Sequence, residues 1–140
     1  MLRSEIHPQL LDDCHWLGSL KFCELLLHKN ALVPWFILVP QTRARDFFDL
    51  GVSERDSVMG EAAALAVFVK NHFAVPKINF AAIGNIVPQL HIHVVGRRPG
   101  DACWPLPVWG HLSQTGAYSA DDLKAIVSAL IRSVGLSPGS

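Results

Sequence analysis

The stretch Gln89-Leu90-His91-Ile92-His93-Val94-Val95 constrains this chain more than any other. Polar and aliphatic residues alternate in it, which is the period of a β-strand. Gln89, His91 and His93 would then share one face, and Leu90, Ile92 and Val94 the other. The aliphatic face is expected to enter a core. Burying two imidazoles and an amide without partners is costly. The polar face is therefore expected either to line a site that binds something or to form a satisfied polar cluster.

Flanking segments can be placed around this strand. Ile6, Leu10 and Leu11 suit a short helix with Pro8 near its start. Leu20 to His28 reads as a strand, Lys29-Asn30 as a turn, and Trp35 to Val39 as a second strand bracketed by Pro34 and Pro40. The short connection predicts an antiparallel hairpin. Ser53 is a good N-cap for a long helix, with Glu54 and Asp56 in its first turn. Val58, Ala62, Leu65, Ala66, Val69 and Phe73 recur there at helical spacing, and Pro76 follows its end. Lys77 to Gly84 reads as another strand. The segment from Arg97 to Gly110 is rich in Pro, Gly and Trp and is expected to be irregular. Ser119-Ala-Asp-Asp caps a final helix over about 121–134, with Leu123, Ile126, Val127, Leu130 and Ile131 on one side. The tail from Ser137 is expected to be loose.

A length of 140 residues suits one domain. Lys+Arg and Asp+Glu both total 12, so the net charge is zero. That balance argues against long nucleic acid, whose binding rests on many phosphate contacts from basic side chains. A mononucleotide needs only a local site and stays allowed. Cys14, Cys23 and Cys103 are odd in number and widely spaced, which predicts reduced thiols in a cytoplasmic protein. The N-terminus lacks an apolar signal core, and no apolar run approaches the ~20 residues needed to span a bilayer. No glycine-rich phosphate cradle or serine-nucleophile motif occurs, so any phosphate chemistry must rest on the histidine strand.

The motif resembles that of the histidine-triad family of nucleotide hydrolases and transferases, His-x-His-x-His followed by two apolar residues. His91 and His93 match its second and third histidines, and Gln89 stands at the first. Val33 to Pro40 resembles the family's earlier strand, with Trp35 where many members carry a further histidine. Trp104-Pro105 matches a Trp-Pro pair that some members place near the active site of the dimer. The resemblance covers roughly residues 20–110. It implies an α+β fold with an antiparallel sheet of about five strands, one long helix and a C-terminal helix. It also implies a homodimer acting on dinucleoside polyphosphates or nucleoside phosphoramidates, with no cofactor.

By that resemblance His91 is the nucleophile. A neutral imidazole nitrogen can attack phosphorus and give a covalent nucleotidyl intermediate, which water hydrolyses. Its other nitrogen must donate a hydrogen bond that fixes the tautomer. His93, about 7 Å along the strand, would hold the phosphate. Gln89 could orient phosphate oxygens but cannot take up a proton, and Trp35 also stands where an ionisable group is expected. Catalysis could be slowed or absent, leaving a nucleotide-binding protein. Asn85, in the turn before the motif strand, is carried over as a phosphate contact, with a plain turn residue as the rival reading. Trp35 and Trp104 are assigned to the nucleotide pocket, and Trp109 in the same Pro-rich segment could likewise stack on a base, against simple packing. Arg43, Arg45, Arg97 and Arg98 are the nearest cations in sequence, and a solvated role is the default for each. A His-x-His metal pair is the remaining rival, but no third ligand sits at a recognisable spacing.

Overall fold

The computed structural model describes residues 3–139. In chain order it contains α1 (Pro8–Asp13), β1 (Cys14–Ser19), β2 (Cys23–His28), β3 (Trp35–Pro40) and α2 (Val52–Phe73). Then come β4 (Lys77–Ala81), β5 (Ile92–Arg97), α3 (Ala120–Val134) and β6 (Ser137–Pro138). The strands form one six-stranded sheet in the order β4-β5-β3-β2-β1-β6, with antiparallel neighbours throughout. The fold is α+β, as expected, with six strands where about five were expected; β1 and β6 were not placed from the sequence.

Each sheet face has its own core. Leu25, Leu27, Phe36, Leu38, Ile92 and Val94 point to the helical side and pack with Val58, Leu65 and Val69 of α2 and Ile126 and Leu130 of α3. Burying a side chain of this size contributes about 1.5–3 kcal/mol. The aliphatic face of the motif strand thus enters the core, as its alternation requires. On the other face Leu26, Trp35, Ile37, Val39 and Val95 meet Ile6, Leu10, Val87, Cys103 and Val108. The loops and α1 cover this side, and the histidines belong to it.

The predicted β2–β3 hairpin forms, with Leu26 opposite Ile37. The long helix begins earlier than Ser53 suggested. Gly51 is its N-cap, and the Glu54 carboxylate accepts the Gly51 N–H at 3.4 Å. Burial of Leu50 fixes this earlier entry point. The final helix starts as its cap predicts: the Ser119 hydroxyl accepts from the Asp122 N–H at 3.0 Å, and Asp122 accepts the Ser119 N–H at 3.1 Å. Ile131, expected on the buried side, is 43% exposed.

The tail is not loose up to Gly139. Ser137 and Pro138 pair with Ser19 and Gly18, and the Gly139 N–H donates to Leu17 O at 2.8 Å. Gly18 permits this contact. Its φ is +147°, and a Cβ there would lie 2.1 Å from Ser137 O. A bulge between Trp16 and Gly18 also breaks the period of β1.

Candidate active site

The motif strand is shorter than its alternation suggested. Pairing of β5 with β3 begins at Ile92 opposite Leu38, and with β4 at His93 opposite Ala81. His93 therefore sits in the strand and His91 immediately before it. Both are buried, with ring centroids 5.0 Å apart and planes at 71°.

Gln89 has left the strand. Its side-chain amide donates to Glu5 O at 2.9 Å, and its amide oxygen accepts the His7 N–H at 2.8 Å. The amide thus ties down the N-terminal segment and does not line the cleft of the two histidines. Its main chain acts on the site instead. Gln89 O lies 2.7 Å from His91 Nδ1. A carbonyl oxygen only accepts, so Nδ1 carries the proton and His91 Nε2 keeps its lone pair. This is the tautomer that a histidine nucleophile needs.

His93 is fixed in the opposite sense. The Trp35 indole N–H donates to His93 Nδ1 at 3.0 Å. An acceptor Nδ1 leaves the ring proton on Nε2. Burial, and then the neighbouring His91 and His28, push the His93 pKa down to about 3. His93 is thus a neutral ring with a single N–H to offer.

The two histidines, Trp35 and Asn85 line one cleft of about 570 Å³, within the usual range for small-molecule sites. Two further aromatic rings line it: His28, which the sequence did not point to, and Trp109. His28 stacks on Trp35, with centroids 4.1 Å apart and planes at 8°, and its Nδ1 accepts the Asn30 N–H at 3.1 Å. Burial lowers its pKa, against the opposing field of Asp13. Trp109 stands edge-on to His93 at 5.0 Å and to Trp35 at 6.1 Å. The signal that could have found His28 was its place at the end of β2, one residue past Leu27, which pairs with Phe36 next to Trp35. For Trp109 it was only membership of the Trp-rich segment.

Trp104 lies elsewhere. It sits beside the Arg97 guanidinium, 5.6 Å from its ring centroid, and lines none of this cleft. Arg97 is itself buried and bonded to Asp101 at 2.7 Å, so it is a structural cation. Leu25, Leu27, Phe36 and Leu38 face the helical core, and Ile37 is the β3 aliphatic that reaches the cleft. Cys14 also lines it, but burial pushes its thiol pKa up to about 12 and makes it a poor nucleophile. Among the described residues, no three His, Cys, Asp or Glu side chains gather as a metal site.

An antiparallel α+β sheet that presents a tautomer-fixed histidine pair beside an aromatic cleft defines the structural class of this chain. Within that class the chain belongs to the HIT domain family, whose model matches residues 11–100. A histidine triad protein from Bradyrhizobium japonicum is 37% identical with a TM-score of 0.87, over 93% of this chain and 97% of that one. A histidine triad protein from Marinobacter aquaeolei is 33% identical with a TM-score of 0.86, over 94% and 96%. One from Sinorhizobium meliloti is 32% identical with a TM-score of 0.85, over 91% and 95%. No curated protein matches the chain.

Proposed function

We propose that the protein is a nucleotide phosphohydrolase or nucleotidyl transferase working through a covalent nucleotidyl-His91 intermediate. The observation that carries this is the 2.7 Å contact from His91 Nδ1 to Gln89 O, which leaves Nε2 free to attack. Nε2 bonds the phosphorus next to the nucleoside, the bond to the leaving group breaks, and water then releases a nucleoside monophosphate. The Nε2–H of His93 donates to a phosphate oxygen as charge develops. Asn85, exposed on the cleft, is a further phosphate contact.

Trp35 and Trp109 offer rings against which a base can pack. Trp104 keeps a role only at a neighbouring subunit's pocket. A homodimer is the proposed assembly, and a cytoplasmic setting goes with it. Strand β4 lies at the sheet edge with Phe80 47% exposed, which suits sheets joining side by side. Analytical ultracentrifugation tests this, with twice the chain mass expected.

The commitment of the Gln89 side chain to Glu5 and His7 favours a second reading, a nucleotide-binding protein with little catalysis. His91→Ala separates the two. The enzyme reading expects turnover of adenosine phosphoramidate or diadenosine polyphosphate to fall by roughly a thousandfold or more. The binding reading expects no His91-dependent turnover, with nucleoside monophosphate still bound.

A further inference from the structure

A second cleft, of about 740 Å³, lies next to Gln89. Thr42, Arg43 and Arg45, from the segment after β3, line it together with Glu5, His7 and Gln89. Both arginines are exposed, and among the described residues neither makes a hydrogen bond or ion pair. Glu5 is the one carboxylate on its wall. Arg45 also shares a narrow gap of about 20 Å³ with Asp46, Ile83 and His91. His91 in turn lines the nucleotide cleft. Arg45 thus stands between the second cleft and the nucleophile's ring, with its side chain exposed.

Proton supply at the reacting centre narrows the leaving group. The Gln89 amide has no transferable proton and is held by Glu5 O and the His7 N–H. Neutral His93 can share its Nε2–H, but releasing it would leave an imidazolate in a buried site. The Trp35 N–H is occupied by His93. A terminal phosphate, whose second ionisation lies near pH 6, can depart without taking a proton. An amine cut from a phosphoramidate departs readily only with a proton, so its turnover is expected to be the slower of the two.

Resting on the nucleotidyl-transfer reading, the geometry points to Arg43 and Arg45 as an anion-binding arm for the leaving group, making the substrate a nucleotide joined to a further phosphate chain. Dinucleoside polyphosphates and nucleoside triphosphates belong to this class. In the step, His91 Nε2 bonds the phosphorus nearest the nucleoside and the bridging P–O bond breaks. Its electron pair stays on oxygen, and the polyphosphate leaves as an anion along the arginine cleft. The proton on His91 Nδ1 remains shared with Gln89 O, which supports the positive imidazole of the intermediate.

The test compares kcat/KM for diadenosine tetraphosphate with kcat/KM for an adenosine phosphoramidate of an uncharged amine, in wild type and in Arg43→Ala/Arg45→Ala. The ratio is expected to fall about tenfold or more in the variant, one charge-assisted contact or more being lost. Arg43→Lys/Arg45→Lys is expected to recover part of it. A ratio that does not move overturns the assignment. Calorimetric titration with inorganic tripolyphosphate reads the cleft without turnover. Binding to wild type that weakens in the alanine variant supports the arm, and no binding, or binding that does not move, overturns it. Absence of His91-dependent turnover on both substrates would sink the nucleotidyl-transfer reading separately, whatever the titration shows.

Discussion

The Trp35 indole N–H and His93 Nδ1 meet at 3.0 Å in a buried contact, joining the first residue of β3 to the last motif position, on β5. Indole only donates, so this bond decides which nitrogen of His93 carries its proton. Trp35 therefore does more than occupy the place where the resemblance implied a histidine. It sets the tautomer of a neighbour and, stacked on His28, forms part of the cleft wall.

Trp35→Phe should keep most of the packing and remove the donor. Losing one oriented hydrogen bond is expected to cost about 1–2 kcal/mol in transition-state stabilisation, roughly a tenfold fall in kcat. Nitrogen NMR of the His93 ring checks the cause, since mixed tautomers are expected where the wild type has one. An unchanged His93 spectrum would contradict this role.

Glu24 is a misfit in the core of the same sheet face. It is fully buried, and neither carboxylate oxygen has a hydrogen-bond partner among the described residues. An unsatisfied buried polar group costs about 1–3 kcal/mol. Glu24→Met, close in shape, should raise stability by about that amount in urea unfolding.

Gly96 sets how closely α2 approaches β5. A Cβ there would lie 2.7 Å from Pro34 Cγ and 2.8 Å from Val69 Cγ1 and Val75 Cγ2. Gly96→Ala should destabilise the protein by about 1–3 kcal/mol through overpacking. Activity should fall as well, because the strand that would move carries His93.

Much of this frame was legible in local pattern. The alternation of Leu90, Ile92 and Val94 identified the buried face of the motif, and the spacing from Val58 to Val69 identified the face of α2. Ser119 and Asp122 marked the last helix because their capping bonds span only three residues. What escaped depends on distant partners. Gln89 leaves the strand because its amide is captured by Glu5 and His7, more than eighty positions away in sequence. His28 and Trp109 join the site through ring contacts that no local period encodes. Strand β6 exists because Gly18 lets the chain approach, and the bulge beside Gly18 hid β1 from a two-residue period.

Acid should weaken the fold through His93. Its pKa in the folded protein is lowered from 6.5 to about 3. Between those values the unfolded chain binds more protons than the folded one, so stability rises with pH. Burial lowers His15 and His28 in the same direction. Urea midpoints are expected to drop as pH falls below about 6.5, and His93→Gln should flatten that dependence.

In the proposed reaction His91 Nε2 becomes bonded to phosphorus. Intact-mass spectrometry of protein mixed with diadenosine polyphosphate, quenched without acid, reads this directly. A nucleoside-monophosphate adduct is expected in the wild type, mapping to His91 and absent from His91→Ala. Turnover with no adduct in rapid-quench samples, or an adduct that persists in His91→Ala, would contradict it.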